Sequence, residues 1–348
     1  MNFFQAQHRP STSKLYDIHW KKWTVWCKAN KISDPMRPKA THIANHLAML
    51  ADKHGLSAPT LRTRRSAIAA VLATKGDSST AQDPVISGVI KGVANSRAKA
   101  PKFIPKWDLA VVLDFLKGKK YKDNKLLSFD LLTYKTVFLV ALASGRRASE
   151  ITNLSGIEGD FSRAPNGSIS LRFLPEFLAK NQRPGDPSPT ISIPALSNKV
   201  KANCKDLALC PVRALLEYRA RSQKVRSPNQ RALFISVNVG YSRDITRATL
   251  SRWLKSIIKE AYLSLQHKDG DSKVSNTAPT QFRAHEIRAW AATMASKVTP
   301  LTQVLRAAYW RSPSVFTKHY LRDVQLRAGD GSLRLPAMVA AQTCIPSQ

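Results

Sequence analysis

Ala143-Ser-Gly-Arg-Arg-Ala-Ser-Glu-Ile151 follows a largely apolar run, Leu131 to Ala143, that reads as a buried helix. Gly145 breaks that helix immediately before two arginines. Arg146 and Arg147 then sit near the start of a new helix, with Glu150 three residues beyond Arg147. A guanidinium is planar and permanently charged, and it forks onto two phosphate oxygens. A neighbouring carboxylate holds it in place. Taken alone, the same residues also describe a surface arginine–glutamate pair, which contributes little.

Two further segments lie downstream. Arg283-Ala-His285-Glu-Ile-Arg288-Ala-Trp has a His-x-x-Arg spacing, which puts His285 and Arg288 on one face of a helix. In a chain this basic, a single such pair arises easily by chance. Trp310-Arg-Ser-Pro-Ser-Val-Phe-Thr-Lys-His-Tyr320-Leu-Arg-Asp323 starts a helix at Ser312 and Pro313, a cap and a first-turn residue. Tyr320 falls on that helix in a basic setting. By itself it also reads as a half-buried helix aromatic.

Working back toward the N-terminus, residues 11 to about 95 read as helical. Ser11 or Ser13 is placed to cap a first helix, with Leu15, Ile18, Trp20, Trp23 and Trp26 as its apolar stripe. A second helix runs from Thr41 to about His54. A third begins near Ser57–Pro59, burying Leu61, Ile68, Val71 and Leu72 and showing Arg62, Arg64 and Arg65 on its other face. Such a cluster is either a solvated face or a set of phosphate contacts. A fourth helix spans Pro84 to Ala94. Ser96 to Lys106 then carries two prolines and four basic residues, Arg97, Lys99, Lys102 and Lys106, without an acid. That composition reads as an extended linker suited to lie along a polyanion.

Beyond Trp107 the chain is again mainly helical to about residue 155. Ser168–Phe173 and Thr190–Pro194 alternate as two strands joined by a long proline-containing turn. Helices return at about 211–222, 247–264, 284–297, 301–309 and 313–323. The fold class expected is mainly α with a small β-sheet: a helical N-terminal domain over 1–95, a basic linker over 96–106, an α+β domain over 107–323, and a tail over 324–348.

Charge narrows the partners. Lys and Arg number 55 against 23 Asp and Glu, a formal net charge of +32 over 348 residues. Such an excess repels itself unless a polyanion is near, and each neutralised phosphate of a nucleic acid releases a counterion. No apolar run approaches the ~20 residues that span a bilayer, and Met1 to Pro10 lacks the apolar core of a secretory signal. The plainest alternative is a soluble protein with a basic surface. The four cysteines, Cys27, Cys204, Cys210 and Cys344, lack a zinc-type spacing with histidine and read as reduced thiols of an intracellular protein. No metal or other cofactor is expected.

The order of these segments is more telling than any one of them. Arginine box, lysine-bearing hairpin, His-x-x-Arg, Trp, then Tyr resembles the tyrosine recombinase (phage integrase-like) family from about Lys106 to Asp323. The helical N-terminal part resembles that family's core-binding domain, and Leu209-Cys-Pro-Val-Arg-Ala-Leu215 resembles its segment after the hairpin. The resemblance implies catalytic roles for Arg147, Lys180, His285, Arg288, Trp310 and Tyr320, with Glu150 as the supporting acid. Lys180 matches the hairpin lysine at the end of the first strand, although Lys199 and Lys201 are near in sequence. Arg146 occupies a variable position. Trp310 and Tyr320 stand ten residues apart, one more than the usual bacterial spacing. With Trp-x5-Phe-x3-Tyr-Leu-Arg-Asp, this pattern looks more like recombinases of DIRS-type eukaryotic retroelements.

What the resemblance implies is site-specific breakage and rejoining of double-stranded DNA through a 3′-phosphotyrosine, integrating a mobile element. It also implies a tetramer on DNA, a dimer on each site, with residues 324–348 as a docking segment or a frayed tail. Arg62, Arg64, Arg65, Lys99, Lys102 and Lys106 are the expected DNA contacts. Alternatives are a type IB topoisomerase, a telomere resolvase, or an inactive DNA-binding relative. The expected place of action is the nucleus for a eukaryotic retroelement and the cytoplasm otherwise.

Overall fold

Proline in the first turn marks several helix starts, because the missing N–H has no intrahelical partner there. It does so in α1 (Pro10–Ala29), α3 (Ala58–Leu72), α4 (Pro84–Ser96) and α8 (Pro211–Gln223). The computed structural model describes residues 9–97, 107–180, 182–193, 195–196, 206–238, 241–266, 283, 285–296 and 300–307. The chain divides into two units, Met1–Phe103 and Ile104–Gln348.

In the first unit, α1, α2 (Ala40–His54), α3 and α4 close around Trp23, Ile43, Leu47, Leu61, Ile68, Leu72, Ile86 and Ile90. The buried stripe of α1 is His19, Trp23 and Cys27, one residue per turn. Leu15 and Ile18, expected in that stripe, are 41% and 51% exposed. The inward position one turn before Trp23 belongs to His19, which a search for apolar periodicity passes over. Neither Ser11 nor Ser13 caps α1: Arg9 is the N-cap residue and its side chain makes no capping bond, and the Ser13 hydroxyl donates back to Arg9 O at 3.4 Å.

The second unit is built on α6 (Phe129–Ser144). Its residues from Leu132 to Ser144 are buried on every side except Tyr134, as expected of a helix enclosed by other helices. It packs against α8, α9 (Arg247–Gln266) and α10 (His285–Ser296). On α9, Leu250, Trp253, Leu254, Ile257, Ile258 and Ala261 recur at helical spacing and are all buried. Before α6 lies α5 (Leu109–Lys117), after it α7 (Ala148–Ile151), and after α10 comes α11 (Leu301–Ala307).

Three short strands, β1 (Phe161–Arg163), β2 (Ile169–Leu171) and β3 (Ile191–Ile193), form an antiparallel sheet in chain order. Phe161 pairs Leu171, and Leu171 pairs Ile191, which places these apolar side chains on the core face. The alternation at 168–173 and 190–194 thus marks β2 and β3. The sequence reading missed β1, and also the hairpin of β4 (Ile235–Asn238) and β5 (Tyr241–Asp244). Cys27 and Cys210 are free and buried, and burial raises the Cys27 thiol to about 11. Cys204 and Cys344 lie outside the described residues.

Candidate active site

The buried helix α6 ends at Gly145, whose φ of 57° is left-handed. That conformation suits a C-cap and favours glycine. Within three residues the chain starts α7, so one sharp turn separates the carbonyl end of a long helix from the amide end of a short one. The turn is tied from inside. Ser144 Oγ donates to Val140 O at 2.6 Å, and the Arg146 amide donates to Ser144 Oγ at 3.4 Å.

Glu150 organises what the turn displays. It is 0% exposed and stands at the third position of α7. Its Oε1 accepts from Arg147 Nη1 at 2.8 Å, while Oε2 accepts from the Arg147 backbone N–H at 3.3 Å. Arg147 is therefore held at both its backbone and its guanidinium by one carboxylate, in the manner of a capping box. Its side chain keeps 18% exposure. This is a mostly covered cation with a fixed orientation, unlike a loose surface pair.

From α10, Arg288 Nη1 donates to Gly145 O at 2.6 Å. Arg147 and Arg288 thus meet on the same turn although a long stretch of chain separates them. Arg288 is 2% exposed, so its guanidinium lies beneath the surface. His285 is the first residue of α10 and is exposed. The two residues of the His-x-x-Arg pair therefore differ in depth: His285 is exposed and Arg288 is buried.

Trp107 secures the start of α10. Its indole Nε1 donates to Glu286 Oε2 at 2.8 Å, and its ring packs on Trp290 with centroids 5.9 Å apart. Glu286, 3% exposed, lies between His285 and Arg288 in sequence. Neither Trp107 nor Glu286 was expected at the site from the sequence. A tryptophan directly after the basic linker was the available signal for the first. Nothing local distinguishes the second.

Lys180 is exposed and stands in a turn. It follows the end of β2 at Leu171 instead of closing a strand, because the strand pairing stops at Leu171 and the chain leaves the sheet through Phe173. Trp310, Tyr320, Lys99, Lys102 and Lys106 lie outside the described residues. In the first unit, Arg62 is exposed and Arg65 donates from Nη1 to Ser87 Oγ at 3.3 Å. Arg64 turns the other way: its Nη1 lies 2.6 Å from His19 Nδ1, so it does not share a single outward face with its neighbours.

No protein-family model matches the sequence, and no curated protein matches it. Solved structures do. The integrase of the Tn1549 transposon, in complex with transposon right end DNA, superposes with a TM-score of 0.54 at 13% identity, covering 92% of each chain. The XerH site-specific recombinase, in a pre-cleavage complex with its difH substrate, gives 0.52 at 16% identity, covering 90% of this chain and 76% of that one. The chain has the tyrosine recombinase fold.

Proposed function

We propose that this protein cleaves and rejoins DNA strands by forming a covalent bond between Tyr320 and a backbone phosphate. One observation carries the reading: Arg147, oriented by the buried Glu150, shares a single turn with Arg288, which reaches that turn from a distant helix. Residues that the sequence order singled out are brought together inside a fold whose solved examples are recombinases and integrases.

The chemistry follows from what these groups can do. A phosphodiester repels nucleophiles by its charge, and fixed guanidinium groups stabilise the extra charge of the pentacoordinate transition state. In this reading Arg147 docks the phosphate, and Arg288 must be uncovered when it does. An unperturbed tyrosine has a pKa of about 10, so His285, which is exposed, takes the phenol proton as Tyr320 Oη attacks phosphorus. Trp310 offers an indole N–H to a phosphate oxygen. The bond to the 5′ oxygen breaks, and Lys180 gives that oxygen its proton.

The products are a 3′-phosphotyrosine and a 5′ hydroxyl. A second displacement by a 5′ hydroxyl restores the diester and frees the tyrosine. The number of phosphoester bonds is unchanged throughout, so no external energy source is needed.

The finer reading is integration of a mobile element of the DIRS kind, by a tetramer on double-stranded DNA acting in the nucleus. The N-terminal unit, with Arg62 and Arg65, and the linker lysines Lys99, Lys102 and Lys106 would hold the duplex.

The test uses nicked duplexes of randomised sequence. The nick lets the short 5′-hydroxyl fragment diffuse away and traps the adduct. On a denaturing gel the full chain should give a shifted covalent band, whose DNA yields the site on sequencing. Tyr320→Phe should abolish the band; an undiminished band refutes the assignment. Relaxation of supercoiled plasmid by monomers would instead point to a topoisomerase using the same displacement.

A further inference from the structure

The turn that presents Arg147 carries a second guanidinium that the chemistry above leaves unused. The Arg146 side chain is 4% exposed, and its Nη1 lies 3.7 Å from Glu150 Oε2. Glu150 therefore stands between two arginines. Arg147 Nη1 occupies Oε1 at 2.8 Å, while the Arg147 amide and the Arg146 guanidinium both face Oε2. The Arg146 backbone is itself anchored through Ser144 Oγ to the last turn of α6.

A carboxylate turns about a broad terminal torsion with two equivalent orientations. Gripped at one oxygen, it can swing and carry its partner with it. A cation facing the other oxygen narrows that swing. At 3.7 Å the contact is too long for a hydrogen bond, so it acts as charge and not as a directional link. Away from bulk water such a charge is weakly screened. Arginine suits the place because its guanidinium stays protonated when buried, whereas a lysine readily loses its proton there.

We propose that Arg146 is a positioning residue, which acts through Glu150 to hold the Arg147 guanidinium where the scissile phosphate docks. The role rests on the recombinase reading above. The effect of Arg146 belongs in the rate of phosphotyrosine formation on bound DNA and not in the affinity for DNA.

The experiment is a double-mutant cycle on the full chain, using the duplex recovered from the randomised pool. Single-turnover adduct formation is measured at saturating enzyme, alongside the Kd for the same duplex. Arg146→Met should slow adduct formation by roughly ten- to a hundredfold, the scale of a small misplacement of a reacting group, with Kd changed less than about threefold. Arg146→Lys should fall between the two. Arg146→Met combined with Glu150→Gln should be no slower than Glu150→Gln alone, because residues acting through one another are not additive.

Adduct formation by Arg146→Met at the wild-type rate overturns the role, and so does a double variant slowed by the product of the single effects. Should the methionine variant fail to fold, Arg146→Gln takes its place in the cycle, and the same two outcomes overturn the role. A wild-type chain that forms no adduct on any duplex brings down the recombinase reading and this role together. An active wild type with an indifferent Arg146→Met removes the role alone.

Discussion

Arg288 Nη1 donates to the carbonyl oxygen of Gly145 at 2.6 Å, across 143 residues of sequence. The bond fastens α10 to the turn that bears Arg147. The left-handed backbone of Gly145 aims that carbonyl. An alanine Cβ there would sit 3.6 Å from Ala291 Cβ, an ordinary contact. The penalty is therefore in the backbone. Gly145→Ala should destabilise the second unit by about 1–2 kcal/mol and slow adduct formation. Gly145→Asn should do less harm, because asparagine tolerates this conformation. Thermal melts of the two variants give the comparison, and equal losses would contradict it.

Arg62 and Arg64 should respond in opposite ways. Arg62 is exposed, whereas Arg64 is turned onto His19. Arg62→Ala should lower the slope of log K against log salt for duplex binding by about 1, with no change in melting temperature. Arg64→Ala should leave the slope alone and cost about 1–3 kcal/mol of stability through the broken interior hydrogen bond. Salt titrations and melts of both variants separate the two behaviours.

Acid should loosen the first unit. His46 is 3% exposed and packs against Trp23 and Trp26. Burial, then the nearby Arg64 charge, lowers it from 6.5 to about 4. Between those values the unfolded chain binds a proton that the folded chain refuses, so stability rises with pH. The contribution is full above 6.5 and is lost as pH falls toward about 4. It amounts to roughly 3 kcal/mol, at 1.36 kcal/mol per tenfold change in proton affinity. His19, lowered by burial and by Arg64, acts in the same direction. Melts across this range should show the loss, and His46→Phe should flatten it. A slope unchanged in that variant would assign the acid sensitivity elsewhere.

Trp107→Phe keeps a ring against Trp290 but removes the N–H that Glu286 Oε2 accepts. A buried acceptor deprived of its donor costs about 1–3 kcal/mol. Because Glu286 adjoins His285, the variant should also slow adduct formation, and its effect should not add to that of Glu286→Gln. Full additivity in a double-mutant cycle would show that the two side chains act separately.

Periodicity made the long helices legible. The expected second helix, Thr41 to about His54, is α2 within one residue, and the apolar spacing of α9 carries through its length. β1 offers no alternation to be seen: Phe161 is its single buried residue, followed by two exposed ones, whereas β2 and β3 are buried at both ends. The β4–β5 hairpin is nearly as short and leaves as faint a pattern. Side-chain depth was the harder quantity. Arg64 and Arg146 look like surface charges in a basic chain, yet each is drawn inward by a partner, His19 in one case and Glu150 in the other. For Arg64 that partner comes from another helix, which only the fold brings near. For Arg146 it lies four residues along the chain, but its burial is set by α6 and the elements around it. The order of the motifs carried information that no single motif held.

The acceptor that Arg288 uses belongs to the main chain. Every amino acid supplies that oxygen, so no substitution at position 145 can delete it; a substitution can only turn it aside. Half of the contact is thus invisible to any comparison of side-chain identities. Homologues with different residues at that corner could keep the same latch, and only the bend of their backbone would reveal it.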